Sequence, residues 1–296
     1  MANHRKTYLE ITNICNLSCS FCPKTTRKPR SLSREEFLWI LPKLRLWGPY
    51  LYFHLMGEPL IHPDLSFFLT EAKKAGFLPM ITTNGTLLPQ KEELLLHPQA
   101  APHKISISLH SFESNLCADM SLEGYIESVI DFAKKASDRG VIVVLRLWNL
   151  DGRSGDGRHE ENDNILSLLH SRFPGDWVTT RSGYRIRRCL FLEWGDKFDW
   201  PSFDAPKHGE NGFCYALRDQ IGILSDGTVV PCCLDHNGDL ALGNLFTEDL
   251  DTILSSDRAK AIYDAFTSHR CAETLCQHCM RAEYYRNAKH SKNPNT

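Results

Sequence analysis

The chain has 296 residues, of which 42% are hydrophobic and 24% charged, and its formal net charge is −2. This length supports one large domain with a small appendage, and the near-neutral charge gives no electrostatic reason to expect a nucleic acid or a membrane surface as a partner. No apolar run approaches the roughly 20 residues needed to span a bilayer, and the N-terminus lacks the apolar core of a signal peptide.

Short apolar strand patterns alternate with longer helical patterns from Tyr8 to about Trp194, which predicts repeated βα units and a parallel sheet. The predicted strands cover residues 8–12, 50–55, 78–82, 104–109 and 141–147, with a sixth inside 184–192. A capping box at Ser33-Arg34-Glu35-Glu36 opens a helix to about Trp47, and a second helix runs over 64–74 and stops at Gly76. Six such units predict an α/β fold, a partial (βα)6 TIM-like barrel over residues 1–200.

The composition changes after this predicted barrel. Residues 196–212 are rich in Pro, Asp, Lys and Gly, which indicates a linker to a second domain over 201–296 that is small, cysteine-rich and α+β. Within it, residues 220–230 predict a β-hairpin around the turn Asp226-Gly227. Residues 151–158 follow a strand and form either a lid at the barrel rim or a solvated surface loop.

Three cysteines follow the first predicted strand at the spacing C-x3-C-x2-C: Cys15, Cys19 and Cys22. The chain has eleven cysteines and no secretion signal, which indicates metal or cluster ligands in a reducing cytoplasm rather than disulfides. Three thiolates in one loop can hold three corners of a [4Fe–4S] cluster, which normally has four ligands, so one iron would stay open. A zinc site or a set of redox thiols is the alternative for this loop taken alone.

This spacing resembles the signature of the radical S-adenosylmethionine (SAM) superfamily. The resemblance implies a [4Fe–4S] cluster whose open iron binds SAM, and an external electron donor such as flavodoxin or ferredoxin. Reduction then splits SAM into methionine and a 5′-deoxyadenosyl radical. The resemblance further implies cofactor-binding residues, some through their backbone, in the cysteine loop and at the ends of successive strands: Phe21, Gly57, Glu58, Asn84, Ser108, Arg146 and Trp148.

The segment Met56-Gly57-Glu58-Pro59 is similar to the Gly-Gly-Glu motif of that family, in which Glu58 would accept the ammonium group of SAM. Met56 replaces the first glycine, and an ordinary Gly-Glu-Pro turn is the alternative. Asn84 lies in a Thr-Asn-Gly stretch that matches the SAM cavity of relatives and is also a common turn.

Two residues of the fourth strand end, Ser108 and His110, match the place of polar SAM ligands in relatives. His110 is the candidate catalytic residue, with a structural hydrogen-bonding role as the alternative. Arg146 interrupts an apolar strand and needs a carboxylate partner, for which the methionine carboxylate of SAM is the candidate. Phe21 and Trp148 either contact adenine or only close the pocket.

A second cysteine set occupies the last third of the chain. Cys214 and Cys232 flank the predicted hairpin in a C-x12-G-x4-C pattern, and Cys276 and Cys279 form a C-x2-C pair. With Gly243-Asn244-Leu245, this resembles the SPASM/twitch appendage of radical SAM enzymes, in a shorter version with one auxiliary [4Fe–4S] cluster on those four cysteines. The alternates are Cys233 and Cys271 as ligands and zinc as the metal, and Cys117 and Cys189 are predicted to be buried small hydrophobes.

The resemblance predicts a radical SAM enzyme that abstracts hydrogen from a small molecule, with similarity to queuine lyase suggesting a 7-deazapurine base. A ribosomal-peptide or protein maturase of the SPASM type is the alternative, weakened because the cluster motif starts at residue 15. A zinc-binding interaction protein and an iron–sulfur electron carrier are the alternatives of other classes. The basic residues 24–30 either dock an acidic flavodoxin or an anionic substrate, or form a solvated loop.

Overall fold

The computed structural model describes residues 4–113, 121–150, 160–197 and 199–281. The strands there are β1 (Lys6–Leu9), β2 (Tyr50–Tyr52), β3 (Leu78–Thr83), β4 (Lys104–Ser108), β5 (Ile142–Leu150), β6 (Val178–Thr180), β7 (Gly183–Arg187), β8 (Leu190–Asp196), β9 (Gln220–Ile223), β10 (Thr228–Val230) and β11 (Gly243–Asn244). The α-helices are α1 (Arg34–Ile40), α2 (Leu65–Lys74), α3 (Leu88–Leu96), α4 (His110–Glu113), α5 (Leu122–Asp138), α6 (Glu160–Arg172), α7 (Leu250–Leu254), α8 (Asp257–Thr267) and α9 (Thr274–Gln277). None of these helices is both long and apolar enough to cross a bilayer.

The chain packs as two compact units, and the described part of the first comprises residues 4–13, 23–57 and 199–281. Its strands lie in the order β11-β10-β9-β1-β2, and β1 is parallel to both β2 and β9. The C-terminal third therefore shares a sheet with the first strand of the chain. The boundary predicted between residues 200 and 201 stays a prediction about the modules of the chain, because packing here joins segments that are distant in sequence.

The predicted hairpin of this unit is confirmed. β9 and β10 pair antiparallel, with Val229 opposite Ile223. Gly227 has a φ of +84°, which a glycine adopts without the steric cost that a side chain would bring. The Gly243-Asn244 segment adds β11 to the hairpin before α7 begins at Leu250.

The second unit comprises residues 14–22, 58–113, 121–150 and 160–197 where the structure describes it. Its strands lie in the order β3-β4-β5-β8-β7-β6, of which β3, β4, β5 and β8 are parallel and the last two are antiparallel additions. In this unit the parallel strands β3, β4, β5 and β8 alternate along the chain with the helices α3, α5 and α6, so the α/β class is confirmed.

Three sequence-based expectations for this unit need correction. Residues 184–192 form two strands, β7 and β8, because the chain reverses at Arg188 and Cys189, where Cys189 has a φ of 61°. Cys189 is partly exposed at that turn and is not a buried hydrophobe. The apolar residues 141–147 predict a strand buried on both faces, but β5 is buried on both faces only over residues 143–145, and from Arg146 onward half-buried and buried residues alternate. Cys117 and the loop 151–158 lie outside the described residues.

The first predicted helix begins as expected but ends early. The Ser33 hydroxyl accepts the Glu36 N–H, and the Glu36 carboxylate accepts the Ser33 N–H, which confirms the capping box. The α-helix stops at Ile40 and continues as a 3₁₀ turn over Leu41–Leu44. Pro42 has no N–H for an α-helical hydrogen bond, which accounts for this change.

Candidate functional site

The first cysteine loop, residues 14–22, is tied to the strand ends of the second unit. The Glu58 N–H donates to the Ile14 carbonyl at 2.9 Å. The Asn16 side chain donates to Thr86 Oγ1 and accepts from Asn84 Nδ2, both at 2.9 Å. Asn16 could not be identified from the sequence, because the C-x3-C spacing gives no information about which distant residue an intervening amide will contact.

The three thiols and the nearby Glu58 carboxyl would repel one another if they were ionised. Burial raises the pKa of Cys15, and the nearby Glu58, Cys19 and Cys22 raise it further, while the Leu17 N–H at 3.4 Å from its sulfur lowers it. Such a group is stabilised by a bound cation or a positively charged cofactor, because metal binding takes thiolates. The donor set therefore fits a cysteine-ligated cluster.

A site for a single metal ion would require the ligand atoms to meet at one point. Among the described residues, no group of three His, Cys, Asp or Glu side chains converges as the ligands of one metal ion. A four-iron cluster binds each of its cysteines to a different iron, so its thiolates need not meet at one point.

Glu58 is buried, with 2% of its surface exposed. Its carboxylate accepts the N–H groups of Asn84 at 2.8 Å and Leu60 at 3.0 Å. Burial raises the pKa of Glu58 to about 7, although these two bonds and the Thr83 hydroxyl lower it. None of the ion pairs in the described part of the chain includes Glu58. An ammonium group beside it would favour its ionised form.

The replacement of a glycine by Met56 does not strain the backbone. Gly57 has a φ of +77°, whereas Met56 is not among the described residues with a positive φ. Met56 is buried, and its N–H donates to the Glu10 carboxylate at 3.3 Å. The glycine needed for the turn is therefore Gly57.

Both the side chain and the backbone carbonyl of Asn84 form hydrogen bonds with other residues of the protein. Its side chain donates to Asn16 and accepts from the Thr86 N–H at 3.0 Å and the Thr86 hydroxyl at 2.7 Å. Its carbonyl accepts from Tyr125 Oη at 2.7 Å and from Ser111 Oγ at 3.3 Å. Asn84 thus joins the cysteine loop to the end of β3, and a direct contact with the cofactor stays a prediction.

His110 begins α4 directly beyond the end of β4. Its Nδ1 lies 3.2 Å from the Arg146 carbonyl and 3.4 Å from the Trp148 nitrogen, and the tautomer decides which contact is a hydrogen bond. Burial lowers the pKa of His110 to about 4, and the Arg146 charge lowers it further, so the ring is neutral at pH 7. The Phe21 ring lies 5.0 Å from it, between centroids. Its catalytic role stays a prediction.

The parallel register places Arg146 between Ser108 of β4 and Glu193 of β8. The Arg146 guanidinium also lies 4.5 Å from the centre of the Trp148 ring. Glu193 was missed because its partner strand could not be identified from sequence. The cysteine loop, Glu58, Asn84, Ser108, His110, Arg146 and Trp148 belong to the second unit, whereas Gly57 belongs to the first, and the cofactor site stays a prediction.

The second cysteine set lies in the first unit, and four of its thiols influence one another. Burial raises the pKa of Cys214 to about 12, with Cys279 and Cys233 adding to the shift. Burial also raises the pKa of Cys232 well above its usual value, and Cys214, Cys233, Cys276 and Cys279 add to it. These are the four cysteines predicted to hold the auxiliary cluster, and their mutual proximity fits that donor set.

The alternate ligands lie close to the same set, since Cys233 also raises the pKa values of Cys214 and Cys232. The Cys233 sulfur lies 4.0 Å from Gln220 Oε1, and the Tyr8 hydroxyl and the charges of Arg281 and Lys6 lower its pKa against the effect of burial, which raises it to about 11. Cys271 is buried and also raises the pKa of Cys276, so it is close to the set. The choice of ligands stays a prediction.

A buried ion pair in the first unit uses part of the basic run that follows the cysteine loop. Arg27 donates to both Glu10 oxygens at 2.8 and 2.6 Å, and to the His236 carbonyl at 2.9 Å. Glu10 is fully buried and also accepts the N–H and hydroxyl of Ser225. Arg30 donates to the Ser225 carbonyl at 2.7 Å. Both arginines are used inside the unit, and the sequence offered no sign of this.

Comparison with known families gives two matches. The family model of the Radical SAM superfamily matches residues 9–161. The SPASM model, described as an iron–sulfur cluster-binding domain, matches residues 214–280. The first match covers the cysteine loop and the strand ends described above, and the second covers the four mutually close cysteines.

Curated relatives match over parts of their own length. The chain is 23% identical over 289 residues to the antilisterial bacteriocin subtilosin biosynthesis protein AlbA of Bacillus subtilis, covering 92% of this chain and 63% of AlbA. It is 28% identical over 141 residues to the GTP 3′,8-cyclase of Limosilactobacillus fermentum, covering 45% of this chain and 42% of that enzyme. The chain thus spans less than two thirds of the length of either relative.

Among solved structures, BtrN in complex with AdoMet and 2-DOIA matches with a TM-score of 0.58 at 15% identity. The alignment covers 94% of this chain and 93% of BtrN. At this level of identity the likeness concerns the fold, an α/β radical SAM domain followed by an iron–sulfur domain.

Proposed function

Because this chain belongs to the radical SAM superfamily, we propose that it modifies a peptide or protein substrate, as a maturase of the SPASM type. The observation that carries the proposal is the similarity to AlbA, which extends over 92% of this chain and so includes both matched domains. The enzyme uses a SAM-binding [4Fe–4S] cluster, and its SPASM domain uses additional iron–sulfur ligation. SAM bound at that cluster supplies a 5′-deoxyadenosyl radical, which abstracts hydrogen from the substrate.

In this proposal each predicted site residue has a role toward the cofactor. Cys15, Cys19 and Cys22 hold the cluster. Glu58 accepts the ammonium group of SAM, which its burial and raised pKa support. Ser108 and Arg146 hold the methionine carboxylate, while Phe21 and Trp148 flank the adenine. Gly57 and Asn84 shape the turns around it, and His110 is the candidate catalytic residue on the substrate side.

The auxiliary cluster is proposed on Cys214, Cys232, Cys276 and Cys279, whose mutual proximity supports it. An external reductant such as flavodoxin or ferredoxin supplies the electron. The proposed compartment is the reducing cytoplasm predicted from the cysteine content of the sequence.

A small-molecule substrate is the second candidate function. The similarity to GTP 3′,8-cyclase over 141 residues favours it, since that enzyme is named for a nucleotide. That similarity covers 45% of the chain, against 92% for AlbA. The relatives named above give no support to the 7-deazapurine base or to queuine lyase chemistry.

The test is an anaerobic assay of the reconstituted enzyme with SAM and dithionite. Candidate peptides encoded near its gene, deuterated at Cα and Cβ, are compared with GTP and a 7-deazapurine base. We expect deuterium transfer from one peptide into 5′-deoxyadenosine together with a change in the peptide's mass. Transfer only from a nucleotide or base would refute the maturase proposal.

The matched control separates the two cysteine sets. The triple variant Cys15→Ala, Cys19→Ala, Cys22→Ala is expected to lose 5′-deoxyadenosine formation while keeping about four irons per chain at the auxiliary site. Continued formation of 5′-deoxyadenosine by this variant would refute the assignment of the first cysteine loop.

A further inference from the structure

The β6–β7 hairpin of the second unit ends its row of strands with an exposed edge. All three residues of β6 are exposed, and among the described residues β6 pairs only with β7, with Val178 opposite Arg185. Val178 itself is 50% exposed. Unpaired N–H and C=O groups of an edge strand can pair with an added chain, and native proteins usually protect such edges. This edge is therefore a candidate docking surface.

The same hairpin is strongly basic. Residues 172–189 contain five arginines, Arg172, Arg181, Arg185, Arg187 and Arg188, and one acidic residue, Asp176, in a chain whose net charge is −2. Arg172 pairs with Glu127 and Arg187 pairs with Asp138, both on α5. No ion pair within the described residues includes the other three. Their charge is available to an incoming carboxylate.

A cleft of about 430 Å³ opens on this hairpin. Val178, Ile186 and Phe191 supply its apolar lining, Arg185, Arg187 and Arg188 supply its basic lining, and Asp176 contributes one carboxylate. The exposed edge and this cleft share Val178, so a chain lying along the edge passes beside the cleft. Apolar and basic groups side by side suit a ligand in which apolar and acidic side chains alternate, as they do on the two faces of an extended strand.

We propose that the edge of β6 and this cleft form a docking site for an extended acidic segment of the peptide substrate, which adds as a further strand. Main-chain hydrogen bonds provide affinity, the cleft takes an apolar side chain, and Arg181, Arg185 and Arg188 bind carboxylates. This inference rests on the proposed function for the identity of the peptide. A nucleic acid is the less suitable ligand, because it cannot continue a β-sheet.

The test measures binding to the intact, cluster-loaded enzyme under anaerobic conditions by fluorescence anisotropy. The probe is a labelled octapeptide of alternating Glu and Val; its counterparts are the Lys–Val octapeptide, the Glu–Val octapeptide with N-methyl groups on alternate residues, and an oligothymidylate. We expect the Glu–Val peptide to bind at least tenfold more tightly than the other three, and its affinity to fall as salt concentration rises.

Charge reversal tests the residues. The variant Arg181→Glu, Arg185→Glu, Arg188→Glu is expected to weaken binding of the Glu–Val peptide at least tenfold while leaving peptide-independent 5′-deoxyadenosine formation unchanged. The matched control, Lys74→Glu, Lys91→Glu, Lys134→Glu on α2, α3 and α5, reverses equal charge away from the hairpin and is expected to keep the affinity within about twofold. Circular dichroism verifies that both variants are folded.

The inference is overturned if the control weakens binding as much as the hairpin variant does. It is also overturned if N-methylation has no effect, or if the oligothymidylate binds as tightly and depends on the same arginines. All of these outcomes are binding measurements and do not require the enzyme to modify a peptide. Peptide modification without docking at β6 would overturn only this inference, whereas docking without any peptide modification would overturn the proposed function.

Discussion

Glu58 shows how one buried carboxyl couples the candidate site to protein stability. Its neighbours are N–H and O–H donors. In our proposal, the cation that keeps its carboxylate ionised belongs to the bound cofactor. Its pKa of about 7 in the folded protein exceeds the ordinary value of 4.5, so the folded state binds its proton more tightly than the unfolded state does.

The cofactor-free protein should therefore lose stability as pH rises. The stabilising contribution of protonated Glu58 is complete below pH 4.5 and is lost as pH passes through about 7. The shift of about 2.5 pKa units corresponds to about 3 kcal/mol of the free energy of unfolding. Urea unfolding of the wild-type protein should give a lower free energy of unfolding at pH 8 than at pH 5. In Glu58→Gln this difference between the two pH values should disappear. The control Glu93→Gln, at an exposed position on α3, should keep it; an unchanged pH dependence in Glu58→Gln would contradict the assignment.

Arg27 is the second residue whose effect is large because its partner is buried. Arg27→Met leaves the Glu10 carboxylate fully buried without its cation, which costs about 3–5 kcal/mol. Lys74→Met removes the exposed pair with Glu71 and should cost less than about 1 kcal/mol. Urea unfolding measures both, and Glu10→Gln combined with Arg27→Met should recover part of the loss. Equal costs for the two single variants would show that the buried pair does not stabilise the fold.

At the scale of elements, the β9–β10 hairpin lies between Cys214 and Cys232 of the auxiliary set, and the segment with Asn244 and Phe246 packs against its turn. Its turn is tightly packed: a Cβ on Gly227 would lie 2.7 Å from Asn244 Oδ1 and 2.7 Å from the Phe246 ring. Gly76, at the end of α2, has a similar φ of +86° but nothing within 4 Å of an added Cβ. Alanine substitutions at these two glycines therefore distinguish the cost of backbone strain from the cost of steric crowding.

Gly76→Ala should cost about 1 kcal/mol through the left-handed backbone alone. Gly227→Ala has the same backbone cost and must also displace Asn244 and Phe246, so we expect at least twice that loss and a weaker hold on the auxiliary iron. Urea unfolding and iron content per chain are the measurements. Equal losses would indicate that Phe246 and Asn244 move aside freely.

Two adjacent cysteines just after this hairpin make a matched pair. Cys232→Ala should reduce iron by about four atoms per chain, because Cys232 lies among the other three predicted ligands. Cys233→Ala should leave the iron content unchanged, because Cys233 is not one of the four proposed ligands, although it lies close to Cys214 and Cys232. The measurement is the iron content of both variants after anaerobic reconstitution. Loss of iron in Cys233→Ala but not in Cys232→Ala would show that Cys233 is the ligand.

At the scale of the molecule, each unit carries one cysteine set. Burial raises the pKa of Cys15 in the second unit and those of Cys214, Cys232 and Cys276 in the first. The first set lies within one loop, whereas the second draws on segments far apart in sequence, the hairpin and the C-x2-C pair. A bound auxiliary cluster would therefore crosslink the first unit.

Removal of iron by a chelator should lower the thermal midpoint of the protein by several degrees or more, since a group that binds only the folded state stabilises it. Calorimetry of loaded and stripped protein measures this. In the variant with both cysteine sets replaced by alanine, the chelator should have no effect. A midpoint that is the same with and without iron in the wild-type protein would contradict the crosslinking role.

The sequence by itself determined the α/β class, the two cysteine sets, the capping box and the hairpin, because each is encoded by spacing or periodicity within a few residues. It could not show that Asn16 joins Asn84, that Arg27 neutralises Glu10, that Glu193 lies beside Arg146 or that residues 184–192 reverse direction. Those features depend on strand order and on contacts between distant segments. Only the tertiary structure decided them, because the energy of such contacts arises after the chain has folded and leaves no local pattern.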